Sequence, residues 1–169
     1  LGLNGLGTCA TQYASEYFDA LIHRDGFEYS LHFEKGENIG GLQKAPWSGK
    51  KTGSRFRWKP DLDVFTDINI PVEFFLDVLK RQAVVNAGVT FRFRNQVNGK
   101  FETTDFQYQN GIVDYVRELS GENALTTPVF WQTERRGRDR VDKPDYKVKL
   151  SVSFCFSNTV NIIEHYHNS

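Results

Sequence analysis

Several groups of residues in this sequence are of types that do chemistry. The sharpest is Gly2-Leu3-Asn4-Gly5-Leu6-Gly7, running into a helical pattern. Glycines let backbone N–H groups come close to a phosphate, and a helix N-terminus adds positive partial charge. The spacing is G-x-x-G-x-G. It is neither the dinucleotide G-x-G-x-x-G nor the P-loop pattern. From the residues alone, a phosphate site and a plain glycine turn both stay open. Thr52-Gly53-Ser54 leads into a strand-like run, where a hydroxyl could bond a base or a water in a cleft. Arg24 stands beside Asp25 at a hairpin end, placed either to meet a ligand or to be solvated.

The segment Glu134 to Lys149 holds seven basic residues, Arg135, Arg136, Arg138, Arg140, Lys143, Lys147 and Lys149. Four acids, Glu134, Asp139, Asp142 and Asp145, dilute them. A contact to a nucleic-acid backbone and a solvated hairpin loop are both open, and the small excess favours the loop. His165-Tyr166-His167 places two imidazoles on one face of an extended strand, but no further Cys or His lies near in sequence to complete a metal site. Glu16 and Asp19 carry nothing that marks an acid–base pair. No Ser/His/Asp or Cys/His grouping stands out.

The elements that must position these residues can be read from periodicity. From Thr8 to Phe18, Ala10, Tyr13, Ala14, Tyr17 and Phe18 have helical spacing. Asp25-Gly26 is a hairpin turn, followed by Phe27, Tyr29, Leu31 and Phe33 in strand alternation up to Lys35-Gly36. Gly49 to Gly53 reads as a linker. A short strand then carries Phe56 and Trp58 on one face and breaks at Pro60-Asp61. Pro71 starts a helix with the stripe Val72, Phe75, Leu76, Leu79 and Ala83, ending near Asn86 and Gly88. Val89, Phe91 and Phe93 alternate before an Asn98-Gly99 turn, and the partner strand runs to about Phe106. Gly111 to Leu119 is helical, and Gly121 follows it. From Val129 the pattern is that of strands. Tyr146, Val148, Leu150, Val152, Phe154 and Phe156 alternate without a miss, which predicts one long amphipathic strand. The shift near Thr126-Pro128 is the expected domain boundary. The class is α+β, without a βαβ rhythm.

At 169 residues, 39% of them hydrophobic and 14 of them Phe, the chain has the length and composition of about one packed domain. Lys and Arg number 21 and so do Asp and Glu, so no global basic field holds nucleic acid. No apolar run approaches the ~18 residues of a membrane helix. Cys9 and Cys155 lack metal or redox spacing, which fits a reducing compartment. The absence of Met and the Leu1-Gly2 opening lead us to expect a piece of a longer protein.

In order and spacing, these motifs resemble the ATPase subunits of bacterial type II DNA topoisomerases, gyrase B and its topoisomerase IV counterpart, over nearly the whole chain. Gly2-Leu3-Asn4-Gly5-Leu6-Gly7 resembles the Gly-Leu-His-Gly-Val-Gly lid motif, with Asn4 for His and Leu6 for Val. His23-Arg24-Asp25-Gly26 resembles the Arg-Glu/Asp-Gly hairpin. Thr52-Gly53-Ser54 and Phe56-Arg57-Trp58-Lys59-Pro60-Asp61 resemble the Thr-Gly-Thr strand and its ending. Leu79 to Val89 and Tyr108-Gln109-Asn110-Gly111-Ile112 are similar to two further family stretches.

The resemblance implies part of a GHKL (Bergerat-type) α/β sandwich with a mixed sheet, followed by the first strands of a transducer domain. Residues 1–124 would be the C-terminal half of the ATPase domain, and residues 125–169 the start of the transducer. It implies that Gly2, Leu3, Asn4, Gly5, Leu6 and Gly7 bind ATP through backbone N–H groups. Ser54 would direct its hydroxyl at the adenine through water, Phe56 would line the base pocket and Arg24 would sit on its rim. The family's catalytic Glu, magnesium-binding Asn and adenine-reading Asp precede the glycine motif, so no catalytic or metal residue is expected within the chain. The family's γ-phosphate lysine is expected beyond Ser169. Gln132-Thr133-Glu134 echoes its loop but lacks the lysine.

For the intact protein, ATP and Mg²⁺ are the implied cofactors. DNA, a DNA-cleaving A-type subunit and a second copy of the chain are the implied partners, in the cytoplasm and away from membranes. The fragment alone is expected to bind no cofactor and to be inactive. A MutL-like repair ATPase, or an interaction module that kept the fold without the site, are the alternative readings.

Overall fold

The computed structural model describes residues 5–167. Gly2, Leu3 and Asn4 of the glycine motif lie outside these residues. The chain divides into two compact units, Leu1–Ile70 and Pro71–Ser169.

The first unit opens with helix α1 (Leu6–Tyr13) and continues as β1 (Ser15–Arg24), β2 (Phe27–Glu34), β3 (Glu37–Pro46) and β4 (Gly53–Pro60). The four strands form one sheet in the order β3-β2-β1-β4, antiparallel throughout. The helix expected over Thr8–Phe18 stops early, because Tyr17 and Phe18 belong to β1. Pairing explains the difference. Phe18 lies opposite both Phe33 and Trp58, and Ala20 lies opposite both Leu31 and Phe56, so strand alternation there buries aromatic surface on two sides. Asp25 and Gly26 close the β1–β2 hairpin with φ of 52° and 78°, the left-handed geometry that suits the twist of paired strands. β3 has no counterpart in the sequence reading. It is exposed along its whole length, and the register slips between Ser30 and His32, opposite the Gly40-Gly41 stretch.

The second unit holds α2 (Val72–Val85), β5 (Phe91–Val97), β6 (Lys100–Phe106), α3 (Ile112–Ser120), a short 3₁₀ turn (Gly121–Asn123), β7 (Val129–Gly137) and β8 (Tyr146–Phe154). Pro71 caps α2 rather than starting it. The strands form two separate antiparallel ribbons, β5-β6 and β7-β8. Its core is Ala83, Val84 and Tyr108, surrounded by Val85, Phe91, Phe106, Ile112, Tyr115 and Tyr166. Phe75, in the apolar stripe of α2, is 36% exposed, with its ring stacked 5.6 Å from that of Phe93.

The alternating apolar face of β8 is uncovered among the described residues. Val148, Leu150 and Phe154 are 47%, 50% and 45% exposed, and nothing among the described residues buries them. The strand ends at Phe154. Phe156 lies beyond it, where its carbonyl accepts from the Leu125 N–H at 2.8 Å. The α+β class is as expected. Every ladder among the described residues is antiparallel, so the mixed character of the expected sandwich is not among them.

Candidate functional site

The register of the four-stranded sheet sorts its side chains into two faces, because residues opposite each other across a ladder point the same way. One cross-strand row reads Lys44, Tyr29, Ile22, Ser54. The row toward the Asp25-Gly26 turn reads Pro46, Phe27, Arg24. The row on the other side holds Leu31, Ala20 and Phe56, and the next holds Phe33, Phe18 and Trp58. Arg24, Ser54 and Phe56 therefore project from one face, in three successive rows about 7 Å apart along the strands.

This face is an aromatic floor with a polar end. Phe18 is its one deeply buried ring, 5% exposed, with ring centroids of Phe56, Phe33 and Trp58 at 5.9, 6.3 and 6.5 Å. Phe56 and Trp58 are 46% and 50% exposed, so flat apolar surface remains on offer. At the polar end the Ser54 side chain is exposed, and among the described residues Arg24 pairs only with its neighbour Asp25, at 3.2 Å. The Lys44 ammonium lies 3.8 Å from the Phe27 ring centroid and 5.6 Å from that of Tyr29. An aromatic platform rimmed by a hydroxyl and two cations is suited to a flat heterocycle carrying negative charge.

The glycine segment joins the sheet differently. Gly5 caps α1 with φ 65°, and Gly5 and Gly7 both have open space where a Cβ would stand. Among the described residues no side chain caps the helix start. α1 leads into the Ser15 end of β1, whereas Arg24 and Ser54 lie toward the opposite end. Within the described residues, the structure thus groups Arg24, Ser54 and Phe56 on one face and leaves Gly5, Leu6 and Gly7 on their own element. The sequence reading missed Lys44, whose place at the rim follows only once β3 is paired to β2.

The opposite face of the sheet is polar. His32 Nδ1 lies 2.6 Å from Asp19 and its Nε2 3.3 Å from Glu34. The hydrogen bond to Asp19, and then that to Glu34, raise the His32 pKa. His23 bonds Glu28 at 2.7 Å and stacks on Trp47 with centroids 3.7 Å apart. No group of three or more His, Cys, Asp or Glu among the described residues is placed to hold a metal ion. No helix among them is long and apolar enough to cross a membrane.

No protein-family profile matches the chain. Individual proteins do. The DNA gyrase B protein of Synechocystis is 29% identical over 155 residues, covering 91% of this chain and 14% of the relative. That of Chlamydia muridarum is 31% identical over 82% of this chain and 17% of its own length. The DNA topoisomerase 4 B protein of Salmonella typhimurium is 33% identical over 118 residues, 69% of this chain and 18% of the relative. The chain thus spans less than a fifth of each of these proteins.

Among solved structures, the 43K ATPase domain of Thermus thermophilus gyrase B in complex with an aminocoumarin superposes with a TM-score of 0.66 at 23% identity, covering 81% of this chain and 37% of that one. The topoisomerase IV ATP-binding domain of Francisella tularensis gives 0.60 at 23% identity, covering 81% and 40%. In fold and in sequence, along most of its own length, this chain is a relative of the gyrase B and topoisomerase 4 B proteins.

Proposed function

We propose that the chain is part of the ATP-hydrolysing subunit of a gyrase B-like type II DNA topoisomerase. The observation that carries this is its similarity to gyrase B and topoisomerase 4 B proteins over most of its length. In the intact cytoplasmic enzyme, nucleotide binding closes a dimer of two such subunits around a DNA duplex. That duplex passes through a break made by the A-type partner, and hydrolysis reopens the clamp. Residues 1–124 supply the later half of the ATPase domain and residues 125–169 the first strands of the transducer.

ATP supplies the phosphoryl group that passes to water. This chain's own residues bind and orient. The backbone N–H groups of the Gly2 to Gly7 segment cradle the phosphates, and the open space and left-handed backbone at Gly5 suit that approach. Ser54 holds the base edge through water, the exposed ring of Phe56 packs on the base and Arg24 closes the rim.

The test is titration of the intact protein with a fluorescent ATP analogue, competed by ATP. We expect saturable binding, with Ser54→Ala weakening it about fivefold, the loss of one hydrogen bond worth ~1 kcal/mol. Binding that ignores both Ser54→Ala and Phe56→Ala, or no binding at all, overturns the site assignment. The chain by itself is expected not to hydrolyse ATP. A Mg²⁺-dependent turnover lost on substitution of Gly5 or Gly7 would contradict that.

A further inference from the structure

The β7-β8 ribbon carries a charge arrangement that its own folding does not favour. On its polar face Glu134 lies opposite Lys149, and Arg136 lies opposite Lys147. Lys147 reaches diagonally to Glu134 at 2.9 Å, so one carboxylate sits among two lysines while Arg136 faces a cation. Like charges directly opposite destabilise a ribbon. Around the connecting loop Arg138 pairs with Asp145 at 2.6 Å and Arg140 with Asp142 at 3.7 Å. Arg136, Lys143 and Lys149 have no carboxylate partner among the described residues, and all three are exposed. Arg135 is also unpaired there, but it lies opposite Val148 and so belongs to the apolar face. The chain as a whole is neutral, so this local excess is balanced by acids elsewhere.

Among the described residues β7 and β8 pair with no other strand. Same-face residues two apart along a strand are about 7 Å apart, and the strands about 5 Å. Arg136 and Lys149 therefore lie close together beside the Lys147–Glu134 pair, with Lys143 in the loop beyond. The duplex offers a phosphate charge every ~1.7 Å of axis, dense enough to engage several of these groups at once.

We infer that the polar face and tip of the β7-β8 ribbon contact the phosphate backbone of duplex DNA, through Arg136, Lys143 and Lys149. The inference rests on the DNA-capturing reading above and assigns it a surface. It needs no base contact and implies no sequence preference.

The experiment is fluorescence anisotropy of a labelled duplex with the full chain between 50 and 200 mM KCl. Three phosphate contacts predict a slope of about −2.7 in log affinity against log salt. Changing Arg136, Lys143 and Lys149 together to Glu should cost at least ~30-fold at low salt and remove most of the slope. A charge-matched variant of Lys50, Lys51 and Lys100 to Glu should lose less than ~3-fold, because those groups lie outside the ribbon. Circular dichroism establishes that both variants are folded. Should the ribbon variant fail to fold, Lys143→Ala alone, in the loop, should reduce the slope by about one.

Equal losses in the two variants, or no duplex binding at 50 mM KCl, overturn the inference. So does binding to vesicles of anionic phospholipid in preference to the duplex. Running the nucleotide titration on the same variants in the intact protein separates the two proposals. Lost nucleotide binding with intact ribbon-dependent DNA binding counts against the ATPase site alone, and the reverse result counts against the ribbon alone.

Discussion

In β5, Phe91 and Phe93 alternate with Arg92 and Arg94; in β8, Val148, Leu150 and Val152 alternate with lysines and serines. By pattern the two strands are interchangeable, and each sits in a two-stranded antiparallel ribbon within the same unit. Their surroundings differ. α2 packs on β5, with Phe75 stacked on Phe93 at a ring angle of 15°, and both Phe91 and Phe93 are half-buried. The corresponding apolar residues of β8 are all exposed among the described residues. Alternation is a property of a strand and says which side is apolar. Whether that side is covered depends on what packs against it, which no local period encodes.

The sharpest way to break this contrast is to make the same change in both places. Val84, in the core beside α3, is 1% exposed, whereas Val148 on the bare ribbon face is 47% exposed. Val84→Ala removes two buried methyl equivalents and leaves a cavity, an expected cost of about 2–3 kcal/mol. Val148→Ala should cost under ~0.5 kcal/mol, as an exposed position does. Urea denaturation of the two variants measures both. A loss at Val148 as large as that at Val84 would mean that the ribbon face is covered in solution.

A matched tyrosine pair tests polar support in the same way, with a smaller expected effect. The Tyr108 hydroxyl donates to Glu118 at 2.7 Å, and Lys80 donates to the other carboxylate oxygen at 2.8 Å. Burial raises the Glu118 pKa, and the hydrogen bonds from Lys80 and Tyr108 together with the Lys80 charge outweigh it, leaving the carboxyl below its ordinary value. Tyr108→Phe removes one of those bonds and should cost about 1 kcal/mol. It should also move the Glu118 titration upward, visible by carboxyl-region NMR. Tyr146→Phe on the ribbon should change neither stability nor titration, since that ring is 49% exposed.

What was legible in the sequence follows the same division between local and long-range causes. The Asp25-Gly26 and Asn98-Gly99 turns, α2, α3 and the alternation of β2 and β5 were readable, because each is set by residues a few positions apart. The N-terminal helix was read too long because Ala14, Tyr17 and Phe18 satisfy a helical spacing and a strand alternation equally. The choice falls to β2 and β4, which lie far along the chain. β3 escaped notice because it is polar and glycine-broken, and exists through its pairing with β2.

The candidate site divides likewise. Arg24, Ser54 and Phe56 stand out by residue type and by family resemblance. That they share one face is a matter of register across three strands. Lys44, at the same rim, carries no local signal at all.

The smallest expected effect lies on the polar face of the four-stranded sheet, where burial is replaced by paired charge. His32 is held between Asp19 and Glu34, and the hydrogen bond to Asp19 is the larger cause of its raised pKa. The ordinary value is 6.5, so the folded imidazole keeps its proton at a pH where the unfolded one has lost it. The sign follows. The contribution of this contact to stability is complete below pH 6.5 and is lost as pH rises through the higher folded value. Imidazole NMR should show His32 titrating above 6.5, and Asp19→Asn should bring it down toward that value while Glu34→Gln moves it less. A His32 titration unmoved by Asp19→Asn would show that the polar face is as loosely held as the apolar face of β8, and the difference between packed and unpacked surfaces would then not extend to the sheet.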